Sequence, residues 1–276
     1  MARIAFHTLL LIFLAAPAVA QVVGPDLSGG HTVSVMVSGF WADINTVARA
    51  DGNGGRFGTR LDLEKDLGFD DNKVRFVGGV SYQFSRRHGM ILSYFDLNRS
   101  AERTLTADID FLDQTYERST TLESSFDTEI WRLSYSYAFL DSQRHRATAQ
   151  AGLHLPRIAV HLSRVEGTRN ADANADTPLP VFGLSYTYRL SPRWMFDLRG
   201  QIFRLQLDDI DGSIDNFSAA VAVAAVQNVT IFAGYNYYKL KADISKRFWN
   251  GQANFDYQGP WVGTVIAFGG AERPAP

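Results

Sequence analysis

Hydrophobic and polar residues alternate with a period of two along most of this chain, which is the signature of a strand with two different faces. In Trp131 to Phe139 the odd positions are Trp, Leu, Tyr, Tyr and Phe, and the even positions are Arg132, Ser134, Ser136 and Ala138. In Phe182 to Leu190 the even positions are Phe, Leu, Tyr, Tyr and Leu, against Gly183, Ser185, Thr187 and Arg189. Segments 74–84 and 194–202 repeat the rule, with Arg75, Ser81, Gln83, Asp197, Arg199 and Gln201 on the polar side. The pattern predicts ten strands, over 31–45, 73–84, 89–109, 115–139, 146–164, 180–190, 193–207, 214–226, 228–243 and 252–268.

A soluble sandwich also alternates. Two features favour a transmembrane barrel. The apolar parity ends in Tyr, Trp or Phe near the turns, as an interfacial belt does. The connections alternate between short ones (Ser85-Arg86-Arg87, Asp141 to His145, Ser191-Pro192, Gln227-Asn228) and long or acidic ones (46–72, 165–179, 208–213, 244–251), with a tighter one near 110–114. Short turns at one end and long loops at the other is the arrangement of an up-and-down barrel in an outer membrane. The fold expected is therefore all-β, an antiparallel transmembrane up-and-down β-barrel of ten strands. Residues 58–66 also alternate; an added hairpin there gives twelve, and eight is the other alternative. Parity breaks at Pro156-Arg157 and at Gly259-Pro260 predict bulges, because proline cannot donate to the ladder.

The N-terminus carries the marks of an export signal. Arg3 precedes an apolar run from Ile4 to Ala16, and Ala18-Val19-Ala20 forms a small-x-small cleavage site before Gln21. The domain plan is then 1–20 signal peptide, 21–268 barrel and 269–276 a short tail. The longest later apolar run, Ala219 to Val226, is far short of the ~20 residues of a spanning helix. Composition agrees with this plan. The 276 residues include 19 Phe, 11 Tyr and 5 Trp at moderate hydrophobicity, and a net charge of −2 argues against a nucleic-acid partner. The absence of cysteine excludes disulfides, thiol catalysis and thiolate metal sites.

The last strand, Phe255-Asp256-Tyr257-Gln258-Gly259-Pro260-Trp261-Val262-Gly263 through Phe268, resembles the closing strand of small Gram-negative outer-membrane β-barrel proteins. Leu61-Asp62-Leu63-Glu64-Lys65-Asp66-Leu67-Gly68-Phe69 resembles a segment common in poorly characterised barrels of that group. The resemblance covers most of the mature chain, in pattern more than in exact motif. It implies residence in the outer membrane, contact with its lipid and lipopolysaccharide, and assembly by the barrel-assembly machinery. One departure is that eight residues, Gly269 to Pro276, follow the terminal aromatic.

With the aromatic parity facing lipid, the other parity lines the lumen. It predicts a lumen charge network of Arg75, Arg132, Arg189, Asp197 and Arg199, with the Asp127 or Glu129 region at its outer end. Charges enclosed in a narrow barrel must pair, since an unpaired buried charge is costly. The expected function is structural, or a narrow diffusion channel with a largely side-chain-filled, charged lumen. Two alternatives belong to other classes: an enzyme acting on envelope lipid, and a surface receptor or adhesin using loops 46–72 and 165–179. The enzyme reading rests on His161-Leu162-Ser163, whose spacing resembles the His-x-Ser of a lipid A deacylase. A bulge at Pro156 turns both side chains to the lumen, away from acyl chains, so no catalytic residue is assigned. The acidic run Asp208-Asp209-Ile210-Asp211-Gly212-Ser213-Ile214-Asp215 lacks the order of a calcium loop and is read as a solvated turn. No metal and no cofactor is expected.

Overall fold

The alternation is realised as ten long strands whose ends meet. The computed structural model describes residues 31–51, 57–111, 114–165, 170–175, 179–207, 210–246 and 249–269. The expected signal peptide and all of the tail but Gly269 lie outside them. In chain order the elements are β1 (Thr32–Ala50), β2 (Leu61–Asp62), α1 (Leu63–Asp66), β3 (Asn72–Gln83), β4 (His88–Thr104), β5 (Ile109–Phe111), β6 (Gln114–Tyr116), β7 (Thr121–Asp141), β8 (His145–Arg164), β9 (Asn170–Ala175), β10 (Leu179–Arg189), β11 (Trp194–Leu207), β12 (Ile210–Val226), β13 (Val229–Lys246) and β14 (Trp249–Phe268). Neighbours run β1, β3, β4, β7, β8, β10, β11, β12, β13, β14, and β14 pairs back onto β1, antiparallel throughout. Closure of the ring leaves no strand at the edge of an open sheet, which is what allows strands to cross a membrane. No described helix is long and apolar enough to cross one.

The face assignment follows the sequence where one parity is polar. Trp131, Leu133, Tyr135 and Phe139 point outward, as do Phe182, Leu184, Leu190, Trp194, Leu198 and Ile202, while Arg132, Ser134, Ser136, Asp197 and Arg199 are buried inside. At the short-turn end a serine repeats at the start of three turns. The hydroxyls of Ser85, Ser142 and Ser191 accept from the backbone N–H of His88, His145 and Trp194, each at 3.1 Å. Just above these turns histidines meet tyrosine hydroxyls on the neighbouring strand: His31 with Tyr82 at 2.8 Å, His145 with Tyr186 at 2.7 Å, and His88 with Tyr135. These amphipathic rings form an interfacial belt.

Several expectations need correction. Neither proline makes a bulge. The β7–β8 register runs unbroken through Ile130↔Pro156, and the β13–β14 register through Tyr235↔Pro260. Each proline sits in sequence with its strand, and its missing N–H removes a ladder bond without shifting the phase. The register shifts lie instead at Ala138/Leu140 and Ala224/Val226, next to short turns. Segment 58–66 adds no barrel hairpin, because only β2 pairs, with Val47 and Ala48, before the chain turns into α1. The expected loop at 165–179 is partly ordered: β9 pairs with Ile158 to Ser163 of β8. Asp211 and Asp215 are strand residues of β12 rather than part of a solvated turn; Asp208 and Asp209 lie outside the described residues.

Candidate functional site

The lumen divides into an apolar upper part towards the long loops and a polar lower part at the short turns. At mid-height the contents are aromatic. Phe40, Phe232, Tyr238 and Trp261 are almost wholly buried, and Phe255 and Tyr257 nearly so. Trp261 packs on Phe232 at 4.5 Å between ring centroids, Tyr238 stacks on Tyr257 at 4.6 Å, and Phe40 meets Tyr257 edge-on at 5.6 Å. Gly234 makes room for the indole, since a Cβ there would lie 2.7 Å from Trp261 Nε1 and 2.3 Å from the Ala219 carbonyl oxygen.

Above this layer the connection from β1 to β3 folds into the barrel wall. The β3–β4 ladder ends at Val77↔Phe95, although β4 continues to Thr104. β2 and α1 occupy the space this leaves and bury Leu61, Leu63, Leu67 and Phe69. The helix is local chemistry: the Asp62 carboxylate accepts from the Lys65 N–H at 3.0 Å, and Gly68 ends it at φ 78°, with Phe69 N–H donating to the Leu63 carbonyl. Burial opposes ionisation of Asp62, but the hydrogen bonds and charge of Lys65 prevail and hold its carboxyl below the ordinary 3.8. The exposed Lys65 ammonium is raised by the same pair.

Arg99 of β4 locks this wedge. Its Nη1 donates to Glu64 Oε1 at 2.7 Å and its Nη2 to Thr46 Oγ1 at 3.0 Å, while Glu64 Oε2 accepts from the Thr46 N–H at 2.7 Å. The guanidinium also lies between the rings of Phe69 and Phe126, 5.2 and 5.3 Å from their centroids. The β5–β6 hairpin adds a cover. Thr59 N–H donates to the Asp110 carbonyl, Asp110 N–H to Thr59 Oγ1, and Arg164 Nη2 to the Thr115 carbonyl.

The lower part of the lumen holds a polar cavity of about 100 Å³. Arg146 and Gln150 of β8, Thr187 and Arg189 of β10, and Asp197 and Arg199 of β11 are among its walls. Asp197 is bound on both oxygens, by Arg199 Nε and by the Thr187 hydroxyl at 2.7 Å. Beside it Asn236, Asn216 and Gln201 form an inward amide ladder, with bonds of 3.1 and 3.2 Å.

Of the five residues expected to share a charge network, the structure joins Asp197 and Arg199, and Arg189 lines the same cavity. Arg189 also donates to the turn carbonyls of Ser142 and Gln143, at 3.2 and 3.0 Å. Arg132 is buried higher up, where its charge interacts with the phenols of Tyr257 and Tyr238. Arg75 stands at the long-loop end of β3 and donates to the Asn98 carbonyl at 2.7 Å. Asp127 and Glu129 share the outward parity of Trp131 and stand off the lumen face, which corrects the expected outer end of the network. His161 and Ser163 likewise share the outward parity of β8, with Leu162 buried between them, because the expected bulge is absent. Asp215 binds Arg204 at 2.6 Å. Among the described residues no group of histidines and acids has the makings of a metal site.

Sequence reading missed Arg99, Glu64 and the arginine Arg146. Arg146 was within reach, since Arg146, Thr148 and Gln150 are the polar parity of β8. The wedge was signalled by Asp62 three residues before Lys65 and by Gly68 after Leu67, a capped turn rather than a strand.

No family model and no curated protein matches the sequence. Solved structures do. The outer membrane protease OmpT from Escherichia coli superposes with a TM-score of 0.53 at 12% identity, over 86% of this chain and 97% of that one. OprG from Pseudomonas aeruginosa follows at TM-score 0.36, 12% identity, 89% and 100% coverage, and Ail of Yersinia pestis at 0.35, 12%, 87% and 99%. With its closed ring of ten antiparallel strands and its lipid-facing apolar belt, the chain has the fold of a Gram-negative outer-membrane β-barrel.

Proposed function

We propose that this barrel is a non-enzymatic component of the outer membrane, closed along its lumen and structural in role in the state described. Its outward belt contacts membrane lipid and lipopolysaccharide, its short turns face the periplasm, and the barrel-assembly machinery inserts it by a closing strand that ends on outward-facing Phe268. One observation carries the reading: the mid-lumen is filled by Phe40, Phe232, Tyr238, Tyr257 and Trp261 around the buried Arg132. Ten-stranded barrels are narrow, and side chains of this size fill them. The Arg99–Glu64 lock seals the lumen a second time above that layer. The test is conductance in a planar bilayer. The purified barrel should show no stable open steps, and a large steady conductance would make it a pore.

One observation favours a rival reading, an enzyme acting on envelope lipid. His161 and Ser163 face outward near the long-loop end, where lipid A is found, with His161 in register with Ser125 and Ser163 with Glu123. Mass analysis of lipid A from cells with and without the protein decides between them. Unchanged acylation supports the non-enzymatic reading; acyl loss that depends on Ser163 overturns it.

A further inference from the structure

The four short turns are built alike. In each, the residue just before the next strand accepts, on its backbone carbonyl, an N–H of the neighbouring strand. Arg87 accepts from Ala138, Arg144 from Arg189 and Arg193 from Ala224, each at 2.8 Å, and Asn228 from Ala267 at 2.9 Å. Arginine therefore holds one structural position in three successive turns, and Arg87, Arg144 and Arg193 are all exposed. The turns themselves carry one acid, Asp141. Its side chain is 6% exposed and is already bound by Arg86 at 2.8 Å and by Arg146 at 3.3 Å. Among the described residues no side chain pairs with the guanidinium of Arg87, Arg144 or Arg193. The three turns are neighbours in the ring: Arg86 of the first reaches Asp141 of the second, and Arg189, which leads into the third, reaches the carbonyls of Ser142 and Gln143. Successive turns are two strands apart, roughly 10 Å.

The belt fixes the depth of these arginines. The residue after each is an outward ring, His88, His145 or Trp194. His88 and His145 are bonded to the hydroxyls of Tyr135 and Tyr186 and lie 5.1 and 5.2 Å from the rings of Tyr137 and Tyr188. Rings with a polar tip settle where hydrocarbon gives way to headgroups. Consecutive Cα atoms are ~3.8 Å apart, so each guanidinium starts at the level of the lipid phosphates. A guanidinium fork matches two oxygens of a phosphodiester. A cation without an acid beside it favours a headgroup of net negative charge over a zwitterionic one, whose own ammonium competes for the phosphate.

We propose that the rim of the short turns, along the arc of Arg87, Arg144 and Arg193, is a binding surface for anionic phospholipid of the inner leaflet, whose phosphodiesters the three guanidiniums hold. The proposal rests on the reading that the short turns face the periplasm. It does not depend on whether the lumen conducts.

The experiment uses the full mature barrel in micelles containing equal amounts of phosphatidylglycerol and phosphatidylethanolamine, read by native mass spectrometry. Wild type should retain phosphatidylglycerol in preference, and Arg87→Gln/Arg144→Gln/Arg193→Gln should lower that preference at least about tenfold. The charge-matched control Arg60→Gln/Arg118→Gln/Lys241→Gln removes three exposed cations at the long-loop end and should keep it. Heat-modifiable gel mobility reports that each variant is folded, and Arg144→Gln alone serves if the triple variant is not. Equal retention of the two lipids by wild type overturns the proposal. So does an equal loss in the control, which would make the attraction a property of net charge. The topology has its own readout. The chain has no cysteine, so Gln227→Cys in the fourth turn gives a single thiol. A membrane-impermeant maleimide should label it in lysed cells and not in intact ones. Protection without lipid preference overturns the site and leaves the topology standing; labelling of intact cells overturns the topology and, with it, the leaflet named here.

Discussion

Arg99 and Glu64 meet at 2.7 Å across the upper lumen, with side chains 1% and 9% exposed, and so tie a segment between β1 and β3 to the wall strand β4. The pair does two jobs. It satisfies the Thr46 N–H and hydroxyl where β1 has outrun β3, and it holds Phe69 against the guanidinium.

Breaking this pair should therefore be expensive. Arg99→Ala leaves the Glu64 carboxylate enclosed with only the Thr46 N–H, and a buried pair that loses one partner typically costs ~3–5 kcal/mol. Replacing both, as Arg99→Met with Glu64→Leu, removes the uncompensated charge and should recover most of that loss. Urea unfolding of the refolded barrel in detergent measures both. Equal stability of Arg99→Ala and wild type would mean that water reaches the pair.

The two faces of β7 offer a second test, on one strand and with one substitution. Leu133 points outward between Leu92 and Leu153 in register. An aspartate there enters hydrocarbon with no partner and should cost about 2 kcal/mol, somewhat less than arginine at the same depth. Ser136 faces the arginine-rich cavity, where Ser136→Asp meets positive charge and should be close to neutral. Ser134 is unsuitable for this comparison, because its hydroxyl packs where a Cβ on Gly152 would come within 2.3 Å. Similar losses at Leu133 and Ser136 would undo the assigned faces.

How much of this was legible in the sequence depends on the contrast between parities. At Trp131 to Phe139 the even positions are polar, so the outward face reads directly. At Phe255 to Phe268 both parities are apolar: Trp261 and Val265 point in, Val262 and Ile266 point out, and only the register on β1 and β13 decides. That is why aromatics expected in the lipid belt fill the lumen instead. Prolines misled for a related reason, since Pro156 and Pro260 look like phase breaks but keep the phase of their strands. The cavity arginines lay in the polar parity and were partly visible. The Arg99–Glu64 lock was not, because a contact spanning 35 residues between a one-turn helix and a strand leaves no periodic trace.

The last prediction separates the two seals of the lumen. Trp261 fills the mid-lumen against Phe232, in a slot bounded by Gly234 and Gly263 where added Cβ atoms would collide with the rings. Trp261→Ala removes the largest side chain of that layer, and truncating a buried aromatic to alanine costs ~3–5 kcal/mol through lost burial and the cavity left behind. The barrel should survive this, because its ladders are closed all round. It should still not conduct, since the wedge of residues 61–69 stands above with Arg99 bound to Glu64. Replacing 61–69 by a Gly/Ser linker of equal length should likewise leave conductance near zero, with the aromatic layer intact. Combining the two changes opens both seals, and single-channel recording should then show steps absent from either parent. Conductance in Trp261→Ala alone would show that the wedge seals nothing. A silent double variant would show that Arg132 and the tyrosines around it close the lumen without help from Trp261.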